Sequence, residues 1–153
     1  SELSLDGVRH VLDLVRQGLR ATVVLGHVQE PATLYEMVTV RDPELIAAAS
    51  LEAGQHLMAS AAALLEAAGV PYETDVGVGD AAHTLLEMIE RSGCDLAVMG
   101  AQGHGALSSV LMGSVSQEVV RASRVPVTIV KHADGADGAE AAEADSSEDL
   151  AQE

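Results

Sequence analysis

The chain has 153 residues, a formal net charge of −16 and 48% apolar residues, so one domain with an aliphatic core is expected, because Trp and Phe are absent. Eight basic residues against 24 acidic ones argue against binding to the nucleic-acid backbone. No apolar run approaches the ~18 residues of a membrane span, so no membrane partner is expected, and a leader, if one exists, would lie outside this sequence. The single Cys94 permits no internal disulfide and leaves a reducing compartment as the default, which predicts a cytoplasmic protein.

Helices and strands are predicted to alternate along the chain. Apolar residues recur at three- and four-residue steps from Leu5 to Leu19, which indicates an amphipathic helix that begins almost at residue 1. In chain order, the following elements are a strand Thr22 to Val28, a helix from Asp42-Pro43 to Ala68, a strand Tyr72 to Val78, a helix from Asp80 to Gly93, a strand Leu96 to Gly100, a helix Ser114 to Ala122 and a strand Val125 to Lys131. Pro126 marks the last of these as an edge strand or a strand start.

This alternation predicts an α/β domain over residues 1–132, with an open parallel sheet and helices on both faces. Such sheets bind ligands at the carboxyl ends of their strands. Residues 133–153 contain eight acids, no base and one Leu, so this acidic tail is expected to be disordered.

A glycine-rich loop connects the third predicted strand to the last helix. Gly100 and Gly103 lie three apart, and Gly113-Ser114 follows after nine further residues. Glycines allow backbone N–H groups to approach phosphate oxygens closely, and a helix N-terminus adds unpaired donors and a positive dipole end. The loop therefore predicts a phosphate-bearing ligand held by these four residues, with the Ser114 hydroxyl as a further donor and helix cap; the alternative is a loop that merely turns the chain.

These residues, together with the ending Val125 to Lys131 and the strand end His27-Val28, resemble the universal stress protein family from Ser1 to about Lys131. The resemblance implies a strand order 3-2-1-4-5. Family members open with an apolar strand that ends in Asp-Gly-Ser, which has no counterpart here, so the first strand is expected to be missing and the chain to be N-terminally truncated. In the family order this strand would lie between Thr22 to Val28 and Leu96 to Gly100. The alternative is that these two strands pair directly and give a four-stranded sheet.

The resemblance also implies the ligand and the partner. The glycine spacing is that of family members that bind ATP, which could carry Mg²⁺ on its phosphates, and Val28 and Met99 would contact the adenine. Val115 and Ser116 would extend the loop's contacts, and His104 could reach a phosphate. A homodimer through Val125 to Lys131 and a regulatory role in the stress response are implied as well.

Other sites receive less support from the sequence. Gly77-Val-Gly79-Asp-Ala-Ala82 imitates a dinucleotide fingerprint, but the next strand ends at Gly100 without the acid that such folds use for ribose. Ala106-Leu107 replaces the Lys-Ser/Thr of a Walker loop, and the histidines lack zinc spacing. The competing functions are a protein-interaction module that does not bind nucleotide and a slow ATPase that uses His104.

Overall fold

The computed structural model describes residues 2–31, 43–101 and 112–131. The elements are α1 (Glu2–Arg16), β1 (Val23–Gln29), α2 (Pro43–Ala67), β2 (Tyr72–Val78), α3 (Ala81–Ser92), β3 (Ala97–Gly100), α4 (Ser114–Ala122) and β4 (Val127–Val130). Every predicted helix and strand is present. The acidic tail 133–153 lies outside the described residues.

The helix and strand ends follow local chemistry. The Asp80 carboxylate caps α3 by accepting from the His83 backbone N–H at 2.9 Å, and Gly93 ends this helix in the left-handed region at φ 60°. β4 is shorter than predicted because Pro126 has no N–H to donate; its carbonyl still accepts from the Ala97 N–H at 3.0 Å.

The four strands form two parallel pairs. β1 pairs with β2 along its whole length, from Val23 opposite Tyr72 to Gln29 opposite Val78, and β3 pairs with β4. Within the described residues, β1 and β3 are not hydrogen-bonded to each other, so the alternative in which the flanking strands pair directly in one four-stranded sheet was wrong. The expected parallel α/β fold is confirmed.

Helices lie on both faces of the strand pairs. One face is covered by α3, because a Cβ added to Gly26 would lie 3.4 Å from the Met88 Sδ of that helix. His27 points to the opposite face, which α2 covers. Its Nε2 lies 2.5 Å from the point where a Cβ added to Gly54 of α2 would be. On that second face α1 contacts α2 and packs against β3, and on the first face α3 contacts α4. Helix packing thus connects the two strand pairs, since backbone bonds between them are absent among the described residues.

Within the described part of the chain, a cluster of buried side chains lies between β1 and the helices α1 and α2. Leu65 is fully buried, and Leu12, Leu25, Ala61 and Val70 surround it. On the other face Val119 of α4 and Met88 of α3 are buried. These contacts fix α4 against the strands and thereby fix the position of its N-terminus.

Candidate functional site

The two ends of the glycine-rich loop are held together at the junction of β3 and α4. The Gly113 N–H donates to the Ala101 carbonyl at 2.8 Å, and the Ala101 N–H donates to the Val130 carbonyl of β4 at 2.8 Å. The Gln117 side chain also donates to the Met112 carbonyl at 2.7 Å. The point where the chain re-enters the fold is therefore bound to the sheet.

Among the described residues, no side chain caps the N-terminus of α4. Gly113 is the N-cap residue and Ser114 is the first helical residue, so the prediction that Ser114 caps this helix was wrong. The first intrahelical bond runs from the Gln117 N–H to the Gly113 carbonyl at 3.0 Å. The N–H groups of Ser114, Val115 and Ser116 consequently lack an intrahelical acceptor, and they can bind an anion.

The predicted contribution of the Gly113 N–H also changes, because this group already donates to Ala101. Two of the predicted donors lie outside the described residues, namely Gly103 and His104. Gly100 is the last residue of β3 and is half-buried. The Ser114 side chain is exposed, and the backbone N–H of Ser114 has no intrahelical acceptor.

Ser116 is the buried polar residue beneath this helix terminus. Its exposed fraction is 3%, and its hydroxyl donates to the Gly100 and Ala101 carbonyls, with Oγ–O distances of 3.1 and 3.3 Å. The hydroxyl is therefore committed to the end of β3, and Ser116 can reach a ligand only through its backbone N–H. Sequence reasoning identified the residue but not this positioning role.

Val28 and Met99, the two predicted adenine contacts, come from different strand pairs. Both are half-buried. Val28 lies two residues beyond Gly26 and so points towards the face that α3 covers. Val98 faces α1, since its Cγ1 lies 3.8 Å from the point where a Cβ added to Gly7 would be. Met99, the next residue, therefore points to the opposite face from α1. Both side chains are thus on the face of the strands that carries α3 and α4.

The β2–α3 junction explains the imitation of a dinucleotide fingerprint. A Cβ at Gly77 would overlap the Thr84 methyl group and lie 2.9 Å from Met88 Cε, and Gly79 has φ 149°. The glycines are therefore required by packing and by backbone conformation. Asp80 already occupies the α3 N-terminus with a negative charge, so this terminus is unfavourable for a pyrophosphate.

A cavity of about 400 Å³, widely open to solvent, lies between the N-terminal parts of α3 and α4. Its lining combines residues of both helices and the Asp80 cap: Asp80, Ala82, His83, Leu86, Ser114, Val115 and Glu118. The sequence predicted that a helix begins at Asp80, but it did not connect this residue with Ser114. The periodicity of two helices contains no signal for such a contact, because their packing is a tertiary property.

Most of the charged groups around this cavity have partners. Glu118 binds Arg121 through both carboxylate oxygens at 2.6 and 2.7 Å, and this hydrogen bond and charge raise the pKa of Arg121. The His83 Nε2 lies 3.3 Å from the Glu87 carboxylate. Over the described ranges no group of three His, Cys, Asp or Glu side chains could hold a metal ion.

The chain resembles known proteins of the universal stress protein family. A sequence model of the universal stress protein family matches residues 1–131. Universal stress protein MJ0531 from Methanocaldococcus jannaschii is 28% identical over 131 residues, which are 86% of this chain and 76% of that protein.

Solved structures agree with this match. The hypothetical protein MJ0577 is 25% identical, with a TM-score of 0.67 over 84% of this chain and 88% of that chain. A universal stress protein in complex with cAMP is 26% identical, with a TM-score of 0.55 over 85% and 88% of the two chains.

Among the described helices, none is long and apolar enough to cross a membrane.

Proposed function

Because the chain belongs to the universal stress protein family, we propose that it binds an adenine nucleotide and acts as a regulator in the stress response. The observation that carries the proposal is the uncapped N-terminus of α4, with the N–H groups of Ser114, Val115 and Ser116 left for phosphate oxygens. The adenine would contact Val28 and Met99, and Gly100 and Gly103 would complete the phosphate loop, with His104 beside it.

The relative solved with cAMP supports this ligand class. ATP is the nucleotide that the glycine spacing predicts, and the same amides suit AMP and cAMP because all three present phosphate oxygens. Mg²⁺ would arrive bound to the phosphates of ATP.

Calorimetry with AMP, cAMP and ATP tests the proposal, with GMP as the control for base recognition. We expect saturable binding of adenine nucleotides to the whole chain and weaker binding of GMP, and mass spectrometry of the native protein should detect co-purified adenine nucleotide. A Gly113→Val variant, whose branched side chain crowds the phosphate position, should lose binding while its melting temperature shows that it folds. Absence of heat with every adenine nucleotide would reject the proposal in favour of an interaction module that does not bind nucleotide.

We further propose that the chain forms a homodimer in the cytoplasm through the segment Val125 to Lys131. β4 has β3 on one side, and its other edge is unpaired within the described residues, so a second β4 could pair with it and cover both edges. The free thiol of Cys94 suits a reducing compartment. Sedimentation should detect a dimer that Ile129→Pro disrupts, because alternate residues of β4 bond to β3, the Ile129 N–H therefore faces the outer edge, and proline cannot donate to a strand. A strict monomer at high concentration would overturn the dimer.

A further inference from the structure

The cavity between α3 and α4 adjoins the proposed phosphate site directly. Ser114 and Val115, whose N–H groups are free to bind phosphate, also line this cavity, and Asp80 and His83 line its opposite side. A single phosphate on the α4 amides would occupy only the part of this space next to Ser114 and Val115. Additional phosphates in a chain must extend beyond the amides, and among the described residues this cavity is the space that adjoins them.

The charge that faces this space comes mainly from Asp80. One of its carboxylate oxygens accepts from the His83 backbone N–H, which leaves the negative charge in place. Glu118, the other acid of the lining, is compensated by Arg121, whereas within the described part of the chain Asp80 forms no ion pair with a Lys, Arg or His side chain. A carboxylate at this position repels each further phosphate that approaches it.

We infer that Asp80 is a specificity-determining residue that disfavours long phosphate chains, so that the site prefers an adenosine monophosphate to ATP when no divalent cation is bound. The inference rests on the proposed function, because it assumes that phosphate occupies the α4 terminus. It deepens that function by naming the preferred class of nucleotide. The fingerprint-like segment Gly77 to Ala82 thereby acquires a role in ligand selection through its acid, although its glycines are explained by packing.

The test compares the affinities of AMP and ATP by calorimetry at low salt without divalent cations. Asp80→Asn is the variant, because Asn also caps helices well and removes only the charge. The matched control is Asp95→Asn, since Asp95 is exposed and precedes β3 at the opposite end of the strands. Melting temperatures verify that both variants fold.

We expect wild type to bind AMP more tightly than ATP, and Asp80→Asn to raise the affinity for ATP relative to AMP by about fivefold, the effect of one unit charge close to the phosphates in a high dielectric. The gain should shrink at about 0.5 M salt, because mobile ions screen the charge. Asp95→Asn should leave the ratio unchanged.

Three results would count against this inference. If both nucleotides bind and the ratio stays the same in Asp80→Asn, Asp80 does not select the ligand, although the proposed function stands. An equal gain in Asp95→Asn would show an effect of the net charge of the whole chain, which also overturns the inference. If wild type binds neither AMP, cAMP nor ATP, the proposed function itself fails, and the inference fails with it.

Discussion

Two junctions in this chain join a parallel strand to a helix through glycine, and they differ in what occupies the helix N-terminus. At the β2–α3 junction the Asp80 carboxylate accepts from the first turn of α3. At the β3–α4 junction the N-cap is Gly113, which has no side chain, and the first-turn N–H groups are left without an intrahelical acceptor. Both segments look like phosphate loops in sequence.

The comparison teaches that glycine spacing alone does not identify an anion site. At the first junction the glycines make room for Thr84 and Met88, and an acid completes the helix end. At the second junction, the Gly113 N–H and the Ser116 hydroxyl donate to carbonyls at the end of β3. The first-turn N–H groups of α4 remain without an intrahelical acceptor. The terminus without an internal acceptor is the one that can take a phosphate.

Gly77→Ala should have the largest effect, and it should act on stability. The new Cβ would overlap the Thr84 methyl group, so we expect the free energy of unfolding in urea to fall by about 3 kcal/mol. The double variant Gly77→Ala/Thr84→Ser removes that methyl group and should recover much of the loss. If the single variant is as stable as wild type, the packing explanation of these glycines is wrong.

Ser116→Ala should weaken the second junction. The loss of the hydroxyl removes a donor from the half-buried Gly100 and Ala101 carbonyls, although Ala101 keeps the Gly113 N–H, so about 1.5 kcal/mol of unfolding free energy should be lost. Ser92→Ala is the matched control, because its hydroxyl bonds the Ile89 carbonyl on the exposed end of α3. Equal losses in the two variants would contradict a positioning role for Ser116.

Gly113→Asp should give α4 a carboxylate at its N-cap, as Asp80 gives α3. Its φ of −64° suits any residue, and a capping carboxylate would compete with phosphate for the α4 amides, so AMP affinity in calorimetry should fall by about tenfold, or 1.4 kcal/mol. Helix stability should rise slightly, because Asp caps better than Gly. Gly113→Asn, a neutral cap of similar shape, should lose less affinity; an equal loss would assign the effect to shape and not to charge.

Tyr72, at the far end of β2 from both junctions, gives the smallest effect. The hydrogen bond from its hydroxyl to Glu66 raises its pKa above the ordinary 10.0, and desolvation and the Glu66 charge add to the shift. The stabilisation by this pair is therefore present below about pH 10 and is lost as pH rises through the folded-state pKa.

Absorbance titration of wild type minus Tyr72→Phe isolates this phenol from Tyr35. A midpoint at or below 10.0 would contradict the hydrogen bond. Nucleotide binding below pH 9, roughly a unit under the ordinary tyrosine pKa, should be equal in the two proteins, because the pair lies away from the proposed site.

Local signals in the sequence predicted the elements closely. β2 and α4 have the predicted bounds, because alternation, glycine and a helix start are encoded within a few residues. β4 came out shorter than Val125 to Lys131, since Pro126 cannot donate. The separation of the strands into two pairs was harder to predict, because strand pairing depends on partners distant in the chain.

The sequence by itself determined the order of helices and strands, the glycine loop before α4 and the family resemblance, since each depends on residues that are near neighbours or on fixed spacing. The tertiary structure decided which helix terminus is free, which hydroxyl is consumed by Gly100 and Ala101, and that Asp80 shares a cavity with Ser114. These properties depend on contacts between segments that are far apart in the chain, and only packing brings such segments together.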